Sequence, residues 1–219
     1  MRSITFFIVV LAMAYPAHLN AQTRIEPDPG KWNAYNCEAT FTNDTIHLIN
    51  TTIKDTLNSM NTSQKSAILW LNNINFKNGI IELEIKGKDV RGQSFVGIAF
   101  HALDNDHYDA VYFRPFNFRN PERKAHAIQY IDRPDNTWNV LRKQYPGKYE
   151  NSIHPVPDPD GWFHAKIVIN SPEIRLYINN SRESTFNVRK ISERTGGKLG
   201  LWIDGRDGWF RNITITQTN

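Results

Sequence analysis

Tyr112, Arg114, Asn117, His126 and Gln129 lie within one short stretch of the chain. These are residue types that hold sugars. An aromatic ring packs on the C–H face of a pyranose, and planar guanidinium and amide groups present fixed donors and acceptors to its hydroxyls. Strand parity decides whether they meet, because successive side chains on a strand point to opposite faces. In 108–116, Tyr112 and Arg114 share one face, and Val111 and Phe113 share the other. In 97–101, Ile98 and Phe100 suit the core, which places Gly97, Ala99 and His101 on the outer face with Tyr112 and Arg114. If Ile128 is core, Gln129 joins them.

The expected site is therefore a hollow with Gly97 and Ala99 as floor and Tyr112 as platform. Arg114, Gln129 and His101 supply hydrogen bonds. Pro115 cannot donate to a ladder, so it marks an edge, a bulge or a strand end. A strand ending there releases Asn117 and Arg119 into a rim loop, where ligands are commonly met. The alternative is that Arg114 pairs with Asp109 or Glu122 and only pins the loop.

Trp138 follows turn residues and is the candidate for a surface platform, with Tyr145 and Tyr149 bordering the same cleft. Glu150 closes that loop as a candidate catalytic acid, and His101 or Glu150 is assigned to proton transfer. Glu82 and Glu84 sit two apart on one strand, so their backbones are about 6.5–7 Å apart. Such a carboxylate pair can serve glycoside hydrolysis. Lys86 and Lys88 continue the alternation, however, and the simpler reading is a solvated face. His101, Asp104, Asp106, His107 and Asp109 could form a metal loop, and Asp204 with Asp207 a calcium site; turn chemistry is the simpler reading of both groups. Calcium is the only cofactor admitted. No Gly-x-Ser-x-Gly, His-Glu-x-x-His or phosphate loop occurs. Cys37, the single cysteine, has no visible histidine partner and reads as a small buried hydrophobe.

The elements that must position these groups are strands. Period-2 alternation recurs at 80–85, 94–101, 108–115, 126–131, 162–169, 174–178, 200–203 and 210–216, with weaker candidates at 45–49 and 66–71. Turn pairs such as Asn78-Gly79, Asp160-Gly161 and Asp207-Gly208 separate them. About a dozen strands without a convincing helical stripe predict an all-β sandwich of two antiparallel sheets. Residues 188–195 could make one short helical turn.

The first residues are set apart. Arg2 precedes an apolar run from Ile4 to Ala14, and Ala21 is a plausible cut site. This reads as a signal peptide over 1–21, followed by a single domain over 22–219. Export without a possible internal disulfide fits a bacterial secreted or periplasmic protein. Net charge is +4 with interleaved signs, which argues against a nucleic-acid surface. No later stretch is long and apolar enough to span a membrane.

The order of the late motifs adds a resemblance. "DGWFHAKIVI" leads to "EIRLYIN", "GKLGLWI" and "GWFRNITI". This resembles the concanavalin A-like lectin/glucanase jelly roll, within its laminin-G-like subgroup, over about residues 30–217. "NGIIELEIKG" and "SFVGIAFHALDNDHYDAVYFRP" resemble exported bacterial glycosyl hydrolases of the 3-keto-disaccharide hydrolase type. The resemblance implies a jelly roll whose concave sheet face binds ligand. The Glu-x-Asp-x-x-Glu strand motif of the family 16 glucanases with this fold is absent. The expectation is an exported carbohydrate-recognising, glycoside hydrolase-like protein. A non-catalytic lectin-like module and a structural interaction domain are the alternatives. The partner is a glycan, held by Tyr112, Arg114, Asn117, His126, Gln129 and Trp138.

Overall fold

The computed structural model describes residues 21–53 and 65–218. The expected signal peptide, apart from Ala21, lies outside the described residues. Two antiparallel sheets enclose one continuous apolar core. In chain order the strands are β1 (Gln22–Ile25), β2 (Trp32–Tyr35), β3 (Cys37–Phe41), β4 (Thr45–Asn50), β5 (Ala67–Leu71), β6 (Asn78–Lys86), β7 (Val96–Ala102) and β8 (Asp109–Phe113). After a loop come β9 (Ile128–Asp132), the helix α1 (Trp138–Gln144) and the short β10 (Glu150–Asn151). The chain then continues through β11 (Phe163–Asn170), β12 (Glu173–Ile178), β13 (Phe186–Arg189), β14 (Lys198–Ile203) and β15 (Asp207–Thr218).

The eight-stranded sheet runs β13-β12-β11-β6-β15-β4-β3, with β1 also on β15. The seven-stranded sheet runs β10-β9-β8-β7-β14-β5-β2. The two sheets differ in what covers them. In β6, Ile81, Leu83 and Ile85 are buried while Glu82, Glu84 and Lys86 stay half-exposed, as one solvated face requires. In β5, β7, β8 and β9 every residue is buried, so both faces of the seven-stranded sheet are covered there. Phe113 on β8 meets Phe163 on β11 edge to face at 5.1 Å, which fixes Val111 and Phe113 on the inner side.

The all-β jelly-roll expectation stands, with three corrections of detail. Residues 138–144 form a helix that period-2 reading passed over. Residues 188–195 do not form one: β13 ends at Arg189 and irregular chain follows. The strand expected from His126 begins at Ile128, because residues 124–126 make a 3-10 turn. No helix among the described residues is long and apolar enough to cross a membrane.

Candidate functional site

One register row crosses the whole seven-stranded sheet. Glu150 pairs with Gln129, Gln129 with Tyr112, Tyr112 with Gly97, Gly97 with Trp202, Trp202 with Ile68 and Ile68 with Tyr35. Residues opposite each other in a ladder share a face. Since Val111 and Phe113 face inward, this row lies on the outer face. Tyr112, Arg114 and Gln129 do come together there. Arg114 donates to the Tyr112 hydroxyl at 2.8 Å and to Gln129 Oε1 at 3.3 and 3.4 Å.

The loop from 114 to 127 closes over this face by its own polar groups. Pro115 ends β8 and opens a 3-10 turn through Asn117, as its missing N–H requires. Asn120 Oδ1 accepts the backbone N–H groups of Glu122 and Arg123, a turn-forming bond pattern of Asn side chains. The His126 carbonyl accepts from Arg114 at 2.9 Å and from Asn117 at 3.1 Å. Arg123 in turn donates to Asn117 Oδ1. The early 3-10 turn frees His126 from strand parity and swings it to the outer side. Its Nδ1 lies 2.8 Å from Glu150 Oε2, off the N–H line, so the contact is an ion-pair approach rather than an aligned hydrogen bond.

A cleft of about 300 Å³ opens above these groups. Tyr112, Arg114, Asn117, His126 and Trp138 line it, together with Arg91, Phe95, Phe116, Arg123, Arg142 and Asp204. Trp138, 46% exposed at the start of α1, is the open aromatic surface. The Arg142 guanidinium lies 4.9 Å from its ring and that of Arg114 5.9 Å. Arg142, one turn along the same helix, also clamps Glu150 with contacts of 2.6 and 3.0 Å.

Several expectations are corrected. His101 is not on the outer face. It adopts φ 49° at a register shift between β7 and β14, and this bulge turns its side chain inward. There it is fully buried, with Nε2 2.5 Å from the Lys77 carbonyl and Nδ1 3.3 Å from Lys190 Nζ. Burial, more than the neighbouring Lys190 charge, pushes its pKa below the ordinary histidine value. Gly97 and Ala99 leave no open floor. Tyr112 and Trp202, on either side of Gly97 in the row, meet at 4.7 Å and roof it over. Tyr112 is thus only 2% exposed and supports Arg114 rather than offering a broad platform. Trp202 is likewise buried on this outer face. Gln129 is buried behind Arg114 and does not line the cleft; its amide donates to the Tyr130 and Tyr149 carbonyls. Glu150 is also buried behind the lining, with both oxygens engaged by Arg142.

The pairing of Arg114 with Asp109 or Glu122 does not occur. Asp109 faces inward, where Tyr130, Lys190 and Ser192 hold it. Glu84 pairs with Arg211 on the outer face of the other sheet, as a solvated strand face predicts. Asp104 accepts from the N–H groups of Asp106 and His107, which is turn chemistry. Asp207 pairs with Lys88, whereas Asp204 lines the cleft. Among the described residues no group of three or more histidine, cysteine or acidic side chains could hold a metal ion. Cys37 is buried, its Sγ 3.5 Å from the Ile68 carbonyl.

Sequence reasoning missed Arg91, Arg123, Arg142 and Phe95. Arg142 was findable: Trp138 and Arg142 stand four apart, the spacing that puts two side chains on one helix face. Seven residues are too few to show a helical stripe beside strong strand signals.

Comparison with known proteins gives the sandwich its context. The Bacillus subtilis carbohydrate-binding module CBM66 superposes with TM-score 0.57 at 13% identity, over 85% of this chain and 96% of that one. The Bacillus licheniformis beta-glucanase gives TM-score 0.55 at 12% identity, over 90% and 98%. The exoplasmic/lumenal domain of VIP36, in its Ca2+/Man3GlcNAc-bound form, gives 0.58 at 12%, over 89% and 87%. At such identities the likeness is one of fold, and the fold is the concanavalin A-like jelly roll. Residues 20–216 match the model of the 3-keto-alpha-glucoside-1,2-lyase-like domain, and the chain belongs to that family.

Proposed function

We propose that this chain is an exported carbohydrate-recognising protein that takes its glycan in the cleft over β8 and β9. The observation that carries the reading is the pairing of a half-exposed Trp138 ring with the Arg114 guanidinium in one open cleft. The ring offers a stacking face and the guanidinium offers directional donors, as a saccharide requires. Membership of a family described by a keto-glucoside lyase supports a sugar ligand.

A glycan screen read by thermal shift, with and without calcium, tests this. A saccharide at a hundred times its Kd should raise Tm by about 5–10 °C in a chain of this size. Trp138→Ala should lose that shift while its unliganded Tm stays within about 2 °C of the parent, as expected for an exposed side chain. A shift retained in full by this variant would remove the cleft from the function.

A catalytic reading is favoured by His126 alone. An elimination across two sugar carbons needs a base to take the proton beside the keto group while the bond to the leaving oxygen breaks. His126 is one-third exposed at the cleft wall, with the Glu150 carboxylate behind it. The second reading assigns that base to His126 and the orienting role to Glu150. His126→Gln should abolish turnover of a 3-keto-glucoside while retaining saccharide binding.

A further inference from the structure

Four guanidiniums, those of Arg91, Arg114, Arg123 and Arg142, reach the cleft, against one lining carboxylate, that of Asp204. Among the described residues only Arg142 of the four forms an ion pair with a carboxylate, and that carboxylate is Glu150 beneath the lining. Arg114 is the telling case. It is 5% exposed, and its hydrogen bonds go to neutral oxygens: the Tyr112 hydroxyl, the Gln129 amide and the His126 carbonyl. Burial pushes its pKa down from the ordinary arginine value; Arg142 adds to this, while Tyr112, Glu150 and Asp204 act against it from a distance or as neutral acceptors without overcoming it. A buried cation with no carboxylate in bonding contact is costly, and an anion entering the cleft offsets that cost. Arg123 stands half-buried beside it, with its Nε on the Asn117 amide oxygen. Arg91 is exposed at the rim. Planar guanidiniums bind oxyanions through paired, charge-assisted hydrogen bonds.

Resting on the carbohydrate reading above, we propose that the preferred ligand is an acidic saccharide. Its ring lies against Trp138 and its oxyanion, a uronate carboxylate or a sulfate ester, is held between Arg114 and Arg123. Neutral glycans share the stacking surface but leave the excess positive charge unanswered. The acidic ligand should therefore bind more tightly, and its advantage should shrink as salt screens the exposed part of the cleft.

Isothermal titration of the full mature chain with four probes decides the matter: a neutral glucose tetrasaccharide, a uronic-acid tetrasaccharide, an O-sulfated tetrasaccharide and sodium sulfate. We expect at least one acidic tetrasaccharide to bind about tenfold or more tightly than the neutral one, the scale of one charge-assisted hydrogen bond. Which of the two does so identifies the oxyanion. Arg123→Gln, a half-buried position whose loss the fold should tolerate, should cut the acidic affinity about tenfold more than it cuts any neutral affinity. Equal binding of neutral and acidic probes, or an Arg123→Gln variant with unchanged preference, overturns the inference and leaves the carbohydrate reading intact. Sulfate ion binding as tightly as the acidic tetrasaccharides, or no saccharide binding, overturns both.

Discussion

Arg114 is held in place by three neutral acceptors, one on β8, one in the 3-10 turn before β9 and one on β9. The Tyr112 hydroxyl accepts from Nη2 while its ring rests on Trp202. Tyr112→Phe keeps that ring and removes only the acceptor. It should cost about 1.5–3 kcal/mol in a urea titration, the value of a buried hydrogen bond with one charged partner, and should weaken ligand binding by loosening Arg114. His101 gives a second test at this scale. Its native pKa lies below that of an exposed histidine because it is buried. The unfolded chain therefore binds a proton near pH 6.5 that the native chain refuses. Stability contributed by neutral His101 is fully present above that pH and is lost as pH falls toward the native pKa. Unfolding free energy measured from pH 8 to pH 5 should decline on the acid side, and more steeply in the parent than in His101→Gln. Equal slopes would remove His101 as the cause.

At the scale of elements, the β7–β8–β9 ladder does most of the positioning. Gly97 sits where Tyr112 and the β8 backbone come closest. A Cβ there would lie 2.2 Å from the Val111 carbonyl oxygen and 2.6 Å from Tyr112 Cα. Gly97→Ala should force β7 and β8 apart, cost about 1–3 kcal/mol or more, and shift Arg114 with them. A Tm and ligand affinity both unchanged in that variant would contradict this packing. Strand alternation in 108–116 was enough to place Tyr112 and Arg114 on a shared face, because period 2 is a local property, whereas Gln129 in 126–131 joined them only on the condition that Ile128 is core. The same rule failed for His101, since a bulge depends on the register with β14 rather than on the residues of β7. It also failed for His126, which a 3-10 turn takes out of the ladder. Arg142 stayed hidden because its helix has only two turns. Interleaved charge along the chain likewise concealed the basic cleft, which gathers arginines from 91 to 142 by folding alone.

Across the whole molecule, the two sheets are joined by a buried polar cluster as well as by apolar packing. Asp109 and Tyr130 come from the seven-stranded sheet, and Lys190, Ser192 and Arg194 from the chain just after β13 of the other. Arg194 also pairs with Asp132. Removing one member of such a cluster leaves an uncompensated buried charge. Asp109→Ala should therefore lower the unfolding free energy by about 3–5 kcal/mol, seen as a fall in the denaturant midpoint. The cluster lies between the sheets and the cleft lies outside them, so material that still folds should keep its ligand affinity. The outer face of the eight-stranded sheet carries its own aromatic and basic groups, with Trp209 stacked on His47 and Arg211 over Trp162. It is the natural rival surface for a sugar. A crystal structure with a bound oligosaccharide from the screen separates the two most directly. A pyranose ring against Trp138, with an oxygen within hydrogen-bond distance of Arg114 or Arg123, is the expected result. A saccharide seated on Trp162 or Trp209, with the cleft over Arg114 empty, would contradict it.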